Sequence, residues 1–166
     1  MVAATTVSVT MMFVPGAALA QQSNTVLKSA DTQKLLPPSV YYLGQSATTQ
    51  LRNSGGVKFA DGFYVLATLV DTSGYATGVA AKYQAYFIAE VPIKIRGKDL
   101  PAGVYGVGFV ADNTFVVTDI GGHDVLTVAS SEDAGLKRPT PLQVLADQTD
   151  GVFRLYAGRR FVSFTR

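Results

Sequence analysis

His123 is the only histidine in the chain, and so the only side chain whose ordinary pKa suits it to proton transfer near neutral pH. It stands in Asp119-Ile120-Gly121-Gly122-His123-Asp124, between two acids. A metal would need Asp119, His123 and Asp124 to converge on it. One histidine with loop carboxylates is not a recognised ligand spacing, and the glycine pair reads as an ordinary turn. A serine hydrolase would need His123 as its base, and no G-x-S-x-G is present. Glycoside cleavage would need two carboxylates drawn from 12 acids. Of the candidates Glu90, Glu132, Asp71 and Asp112, only Glu90 falls inside a predicted strand. If it points inward it needs a cation, and Arg154 or Lys94 is available. These residues supply no catalytic constellation, and the reading is of a chain that is not an enzyme, with no cofactor and no metal.

Binding residues are the alternative. Val104, Gly106, Gly108 and Val110 share one face of a predicted strand, opposite Tyr105, Val107 and Phe109. Two glycines on one face leave a trough, which either a neighbouring aromatic or a ligand can fill. Gly103 to Gly108 is glycine-rich but opens no helix, so a phosphate cradle is not expected. Arg159-Arg160 at a hairpin tip, followed by Phe161, can hold an anion or a glycan. Tyr75 is an aromatic in a small polar loop. The candidate ligand-binding residues are therefore Tyr75, Gly106, Gly108, Arg159 and Arg160. There are 8 tyrosines and no tryptophan, which favours amphipathic core and rim positions over a sugar-stacking platform.

The elements that position these residues follow from periodicity. Val91 to Val110 is the organising stretch and reads as two strands joined by turn chemistry at Gly97-Lys98-Asp99 and Pro101-Ala102-Gly103. Phe63 to Val70 is apolar on both faces, as in a strand covered on both sides or meeting a partner. Asp61-Gly62 is a hairpin signal. Asp71 to Ala81 reads as a loop, and Tyr83 to Val91 as a long strand whose Pro92 marks an edge or bulge. Further strands are expected at Val40 to Leu43, Ala47 to Leu51, Phe115 to Ile120, Val125 to Val128, Leu142 to Ala146, Val152 to Ala157 and Phe161 to Phe164. The longest polar loop is Ser130 to Pro141. Close, regular turns with no long helical pattern predict an all-β fold, an antiparallel β-sandwich or a small closed β-barrel of about 8–10 short strands.

Composition sets the remaining bounds. The 166 residues suit one domain, expected over 39–166. A net charge of +2 does not argue for nucleic acid, and the absence of cysteine excludes disulfides and thiol chemistry. Val7 to Ala20 is apolar, broken by Pro15-Gly16, and ends in Ala18-Leu19-Ala20. This predicts a cleaved signal peptide over 1–20, with 21–38 as a flexible leader carrying a short helix near Thr32 to Leu36. The run is too short for a span of ~20 residues, and the strands are too short for an outer-membrane barrel, so no integral membrane protein is expected.

Val91-Pro92, Gly97-Lys98, Leu100-Pro101-Ala102-Gly103 and Tyr105 resemble a motif of small secreted bacterial β-proteins of unknown function. The late segments Arg154-Leu155-Tyr156 and Gly158-Arg159-Arg160-Phe161-Val162 match the same pattern. Ile93-Lys94-Ile95 stands where the commonest form has an aromatic-acid-aromatic run, which points to a related branch. The resemblance implies a secreted β domain, periplasmic or extracellular, and transfers no catalytic residue. The expected function is a non-catalytic module that binds an envelope component or a protein partner. The alternative is a small barrel carrying an apolar ligand.

Overall fold

A computed structural model describes residues 23–166, so the expected signal peptide lies outside the described residues. Fourteen strands and two short helices follow one another. The strands are β1 (Thr25–Leu27), β2 (Ser39–Tyr42), β3 (Gln45–Lys58), β4 (Tyr64–Val70), β5 (Ala85–Ala89), β6 (Ile93–Ile95) and β7 (Lys98–Leu100). They continue as β8 (Gly103–Val110), β9 (Thr114–Thr118), β10 (Asp124–Ala129), β11 (Ser131–Glu132), β12 (Gln143–Ala146), β13 (Val152–Ala157) and β14 (Arg160–Thr165). The helices are α1 (Ser29–Thr32) and α2 (Thr77–Lys82).

Two antiparallel sheets form a sandwich. An eight-stranded sheet runs β1-β3-β4-β5-β8-β9-β10, with β2 paired to β3 off that path. A six-stranded sheet runs β12-β13-β14-β6-β7, with β11 paired to β14. Among the described residues no closed barrel forms, so the barrel alternative is set aside in favour of the sandwich. The strand count also exceeds the sequence expectation, because several short strands are made by pairing rather than by pattern.

The core lies between the sheets, as alternation requires. From the larger sheet come Val57, Val65, Phe87, Tyr105, Val107, Phe109, Phe115 and Val117. From the smaller come Ile93, Ile95, Leu100, Val144, Phe153, Leu155, Val162 and Phe164. Tyr105, Val107 and Phe109 thus face inward as their period of two predicts. On β4, Val65 and Ala67 join this core while Leu66 and Val70 are buried on the other side, so Val65 to Val70 is covered on both faces, whereas Phe63 at the start of the expected strand is exposed. At one side of the sandwich, β12 lies against β3. A Cβ at Gly55 would stand 2.9 Å from the Val144 backbone nitrogen, so only glycine admits β12 there.

The organising stretch holds three strands instead of two. Arg96-Gly97 closes the β6–β7 hairpin, with Ile95 opposite Lys98. Lys98-Asp99, read as turn, therefore belongs with Leu100 to a strand. Pro92 lies where the chain leaves the larger sheet for the smaller one, between β5 and β6, and Pro101-Ala102 returns it to β8. A proline suits such a crossing because it has no N–H to leave unpaired.

The leader is structured where β1 pairs with β3, Val26 standing opposite Val57. The short helix falls at Ser29–Thr32, earlier than expected, and Thr32 is buried with its Oγ1 2.7 Å from Ser54 Oγ. Asp71 to Ala81 is not wholly loop, since α2 occupies its end. Ser130 to Pro141 contains β11, with Ser131 opposite Phe161.

Candidate binding surface

The outer face of the larger sheet carries the glycine trough. In register across three strands stand Tyr86, Gly106 and Thr118. A Cβ at residue 106 would meet Tyr83 Cδ2 at 2.7 Å, with Thr118 Oγ1 and Tyr42 Cε2 both at 2.8 Å. At Gly108 it would strike the carbonyl oxygen of Lys82, the last residue of α2. The trough is thus filled by the chain's own aromatics and by the end of a helix. This is the aromatic cover that the paired glycines predicted, and it leaves the ligand reading of Gly106 and Gly108 without space.

Tyr42 and Tyr83 stack with centroids 3.7 Å apart and planes 17° apart. Tyr75 meets both edge-on, at 6.0 Å and 5.5 Å. Val40, Ala47 and Val70 complete this second apolar cluster. The Tyr42 hydroxyl lies 2.7 Å from Thr118 Oγ1, which in turn donates to the Gly106 carbonyl at 3.1 Å. The Tyr83 hydroxyl is buried with no hydrogen-bond partner among the described residues. Burial pushes the Tyr83 phenol well above its ordinary range, and raises Tyr42 and Tyr75 by the same cause. All three remain neutral at physiological pH, which suits packing and not proton transfer.

Tyr75 is a fastener. Its hydroxyl donates to the Tyr42 carbonyl at 2.9 Å, and Gln45 Nε2 donates to the Gly74 carbonyl at 3.2 Å. Together they tie the 71–76 loop to the β2–β3 hairpin. The tip of that hairpin is Leu43-Gly44, with φ of 47° and 81°. Positive φ at both central residues is the pattern of a two-residue type I′ turn, in which the first position favours Asn, Asp or Gly. Leucine pays a steric penalty there. Its backbone nitrogen donates to the Ile120 carbonyl at 3.0 Å, and its side chain lies over Gly122.

Two hairpin tips are therefore locked together at one end of the sheet, and they present apolar side chains to solvent. Tyr41 is 62% exposed, Ile120 53%, Val125 47% and Leu43 40%. His123 joins them on the surface. Its Nδ1 lies 3.0 Å from Asp119 Oδ2, and Asp119 Oδ1 accepts the Gly121 and His123 backbone N–H groups, each at 2.9 Å. The His123 backbone N–H first, and the imidazole with it, hold the Asp119 carboxyl below its usual range. Asp124 pairs instead with Lys82 at 2.7 Å. The three groups do not converge, and among the described residues no cluster of three His, Cys, Asp or Glu side chains forms.

Arg159 and Arg160 stand at the β13–β14 hairpin tip, as their sequence context indicated. Arg159 Nη1 donates to the carbonyls of Ala134 at 2.9 Å and Leu136 at 2.6 Å, and so pins the loop after β11. Arg160 Nη1 donates to the Val110 carbonyl at 3.0 Å, and its guanidinium lies 5.6 Å from the Phe109 ring centroid. Arg160 thus joins β14 to β8 of the other sheet while Arg159 stays with its own sheet's loop, and both lie on elements other than those of the tyrosine cluster that unites Tyr75 with Gly106. Glu90 is exposed and accepts the Tyr64 backbone N–H at 2.8 Å. It takes neither expected cation, since Arg154 pairs with Asp147 and Lys94 with Asp99.

Leu43, Ile120 and Val125 were not singled out by pattern. The signal that could have found them is a leucine immediately before a strand-closing glycine, where turn chemistry asks for a polar residue.

The fold and this surface define an antiparallel β-sandwich with an apolar rim. Compared with protein-family models, curated proteins and solved structures, the chain matches none.

Proposed function

We propose that this protein is a non-catalytic secreted module, periplasmic or extracellular, that binds an envelope component or protein partner through the rim formed by Tyr41, Leu43, Ile120 and Val125. The observation that carries the reading is Leu43. It occupies a left-handed backbone position that penalises any residue with a Cβ, and it stands half-exposed at a locked turn. Sterically costly conformations at a surface are retained where the side chain has work outside the fold. Asparagine at the same position would satisfy the turn better and would give up the apolar contact. The neighbouring tyrosines hold the turn rigid, so little ordering entropy would be lost on binding.

The test compares sedimentation of the purified chain with isolated envelope fractions. Leu43→Asn combined with Ile120→Asp is expected to abolish co-sedimentation while the thermal transition is kept. Phe63→Ser, which removes an apolar residue that is 48% exposed away from this rim, serves as the control and is expected to co-sediment as wild type does. Equal partition of the rim variant and wild type would sink the proposal.

A further inference from the structure

We infer that a second site, independent of the rim, binds a phosphate-type anion in a cleft of about 440 Å³ between the β6–β7 hairpin and the β9–β10 pair. Its walls carry Arg96, Lys98, Asp112, Asn113, Thr114 and Thr127. The two cations come from the smaller sheet, and the polar neutral groups from the larger.

The case rests on which cations are already satisfied. On the same hairpin, Lys94 pairs with Asp99. Among the described residues neither Arg96 nor Lys98 has a carboxylate in salt-bridge range. Each makes one long contact to a neutral acceptor. Arg96 Nη1 donates to Ser131 Oγ at 3.3 Å, and Lys98 Nζ donates to the Thr127 carbonyl at 3.3 Å. Lys98 thus reaches across the gap between the sheets, Arg96 stays against β11 of its own sheet, and both keep most of their N–H donors unspent. Asn113 adds an amide and Thr127 a hydroxyl to the walls, while the Thr114 hydroxyl already donates to the Asp112 carbonyl at 3.2 Å.

Arg96 also stands at φ of 51°, in the turn that Gly97 completes at 80°. As at Leu43, a residue poorly suited to the turn is kept, here one with a planar set of donors that matches a tetrahedral oxyanion. Asp112 is the carboxylate on the wall. It opposes the anion and sets the sign of one variant below. The remaining pair of charges favours a compact anion that can accept from both cations together, so phosphate or a phosphate monoester fits better than a monocarboxylate.

The shared chemistry is a phosphate group, free or on a lipid, and the test separates the sources. Inorganic phosphate titrated into the labelled full chain should shift the backbone amide resonances of residues 96–98 and 113–114 saturably. Arg96→Asn keeps a residue suited to the turn and should weaken binding by about tenfold, the loss expected for one charge-assisted contact. Lys98→Ala should weaken it comparably, and Asp112→Asn should tighten it. Lys94→Ala should leave it unchanged. Vesicles of phosphatidic acid that retain wild type but release Arg96→Asn would assign a lipid headgroup. Phosphate binding without vesicle binding would assign a free anion. Shifts that do not saturate, or that Lys94→Ala reduces as much as Arg96→Asn does, would overturn the inference.

Discussion

The two faces of the eight-stranded sheet are covered by opposite means. On the inner face side chains fill the space, with Phe87, Phe109, Phe115 and Val117 meeting the Phe153 and Phe164 layer of the second sheet. On the outer face glycines vacate it, so that Tyr42 and Tyr83 can lie flat on β8 and the end of α2 can touch bare backbone at Gly108. The inner face is indifferent to which large apolar residue donates the volume, provided the total is kept. The outer face is intolerant of any added atom at two positions. It also contains polar atoms: the Tyr42, Tyr75 and Thr118 hydroxyls are satisfied, and the Tyr83 hydroxyl has no partner among the described residues. The difference teaches that a sheet covered by its own hairpin and a short helix must specify contacts atom by atom, where sheet-on-sheet packing need only specify volume.

Breaking each face by its own mechanism gives the largest effects. Phe115→Ala removes a fully buried ring and should cost ~3–5 kcal/mol by chemical denaturation. Gly106→Val adds atoms where a lone Cβ already meets three neighbours within 2.8 Å. It should cost ~1–3 kcal/mol by overpacking. A wild-type denaturation midpoint for Gly106→Val would remove the contrast between the faces.

The stacked tyrosines sharpen the comparison with a smaller effect of opposite signs. Tyr42→Phe loses the bond to Thr118 and should cost about 1 kcal/mol. Tyr83→Phe removes a buried hydroxyl that has no partner, so it should be neutral or should stabilise by up to about 1 kcal/mol. Equal losses in both variants would show that the Tyr83 hydroxyl is satisfied in solution.

The smallest effect concerns pH, and it should touch neither face. The carboxyls of Asp147, Asp119, Asp61 and Asp71 are held below their ordinary value of 3.8. For Asp147 the main cause is the Thr149 backbone N–H, with Arg154 adding to it. A carboxyl with a lowered folded-state pKa contributes stability that is present above its ordinary pKa and lost as pH falls through the lowered one. Denaturation midpoints should therefore fall below about pH 4, and Asp147→Asn should blunt that fall. Tyr83→Phe should leave the acid limb in place, because its ring stays neutral throughout.

Much of the inner face was legible in the sequence. The alternation of Tyr105, Val107 and Phe109 against Gly106 and Gly108 is a period of two that requires no knowledge of neighbours. The same holds for Ile93 and Ile95, and the unbroken apolar run of Val65 to Val70 announced a strand covered on both faces. The paired glycines announced a trough and left an aromatic or a ligand to fill it; which of them does, and which aromatics, they did not decide. Illegible were the elements that exist only through contact. The 3-residue β1 has too few residues to show a period and is a strand because β3 offers it an edge. Helix α2 has no side-chain cap and carries a glycine, so its propensity is poor; it persists where Val79 packs into the tyrosine cluster and its last carbonyl lies over Gly108.

The candidate surfaces divide the same way. Tyr75 was noticed for its oddity in a polar loop, yet its task as a clamp on Tyr42 depends on a partner 33 residues away. Arg159 and Arg160 were noticed as a charged tip, and the fold spends the first on carbonyls of the loop after β11 and the second on the Val110 carbonyl at the end of β8. Leu43 beside Ile120, and Arg96 beside Lys98 across from Asn113, are juxtapositions that turns and sheet packing create.

By itself the sequence determined the class of fold, the strands with a readable period, the composition of the core and the absence of disulfide chemistry. These are local or compositional properties, fixed by which residues repeat at which spacing. The tertiary structure alone decided that the sheets stack instead of closing, which short segments become strands, and which charges are left over after the fold has used the rest. Those depend on long-range pairing and on competition among partners distant in the chain, and no local pattern encodes them.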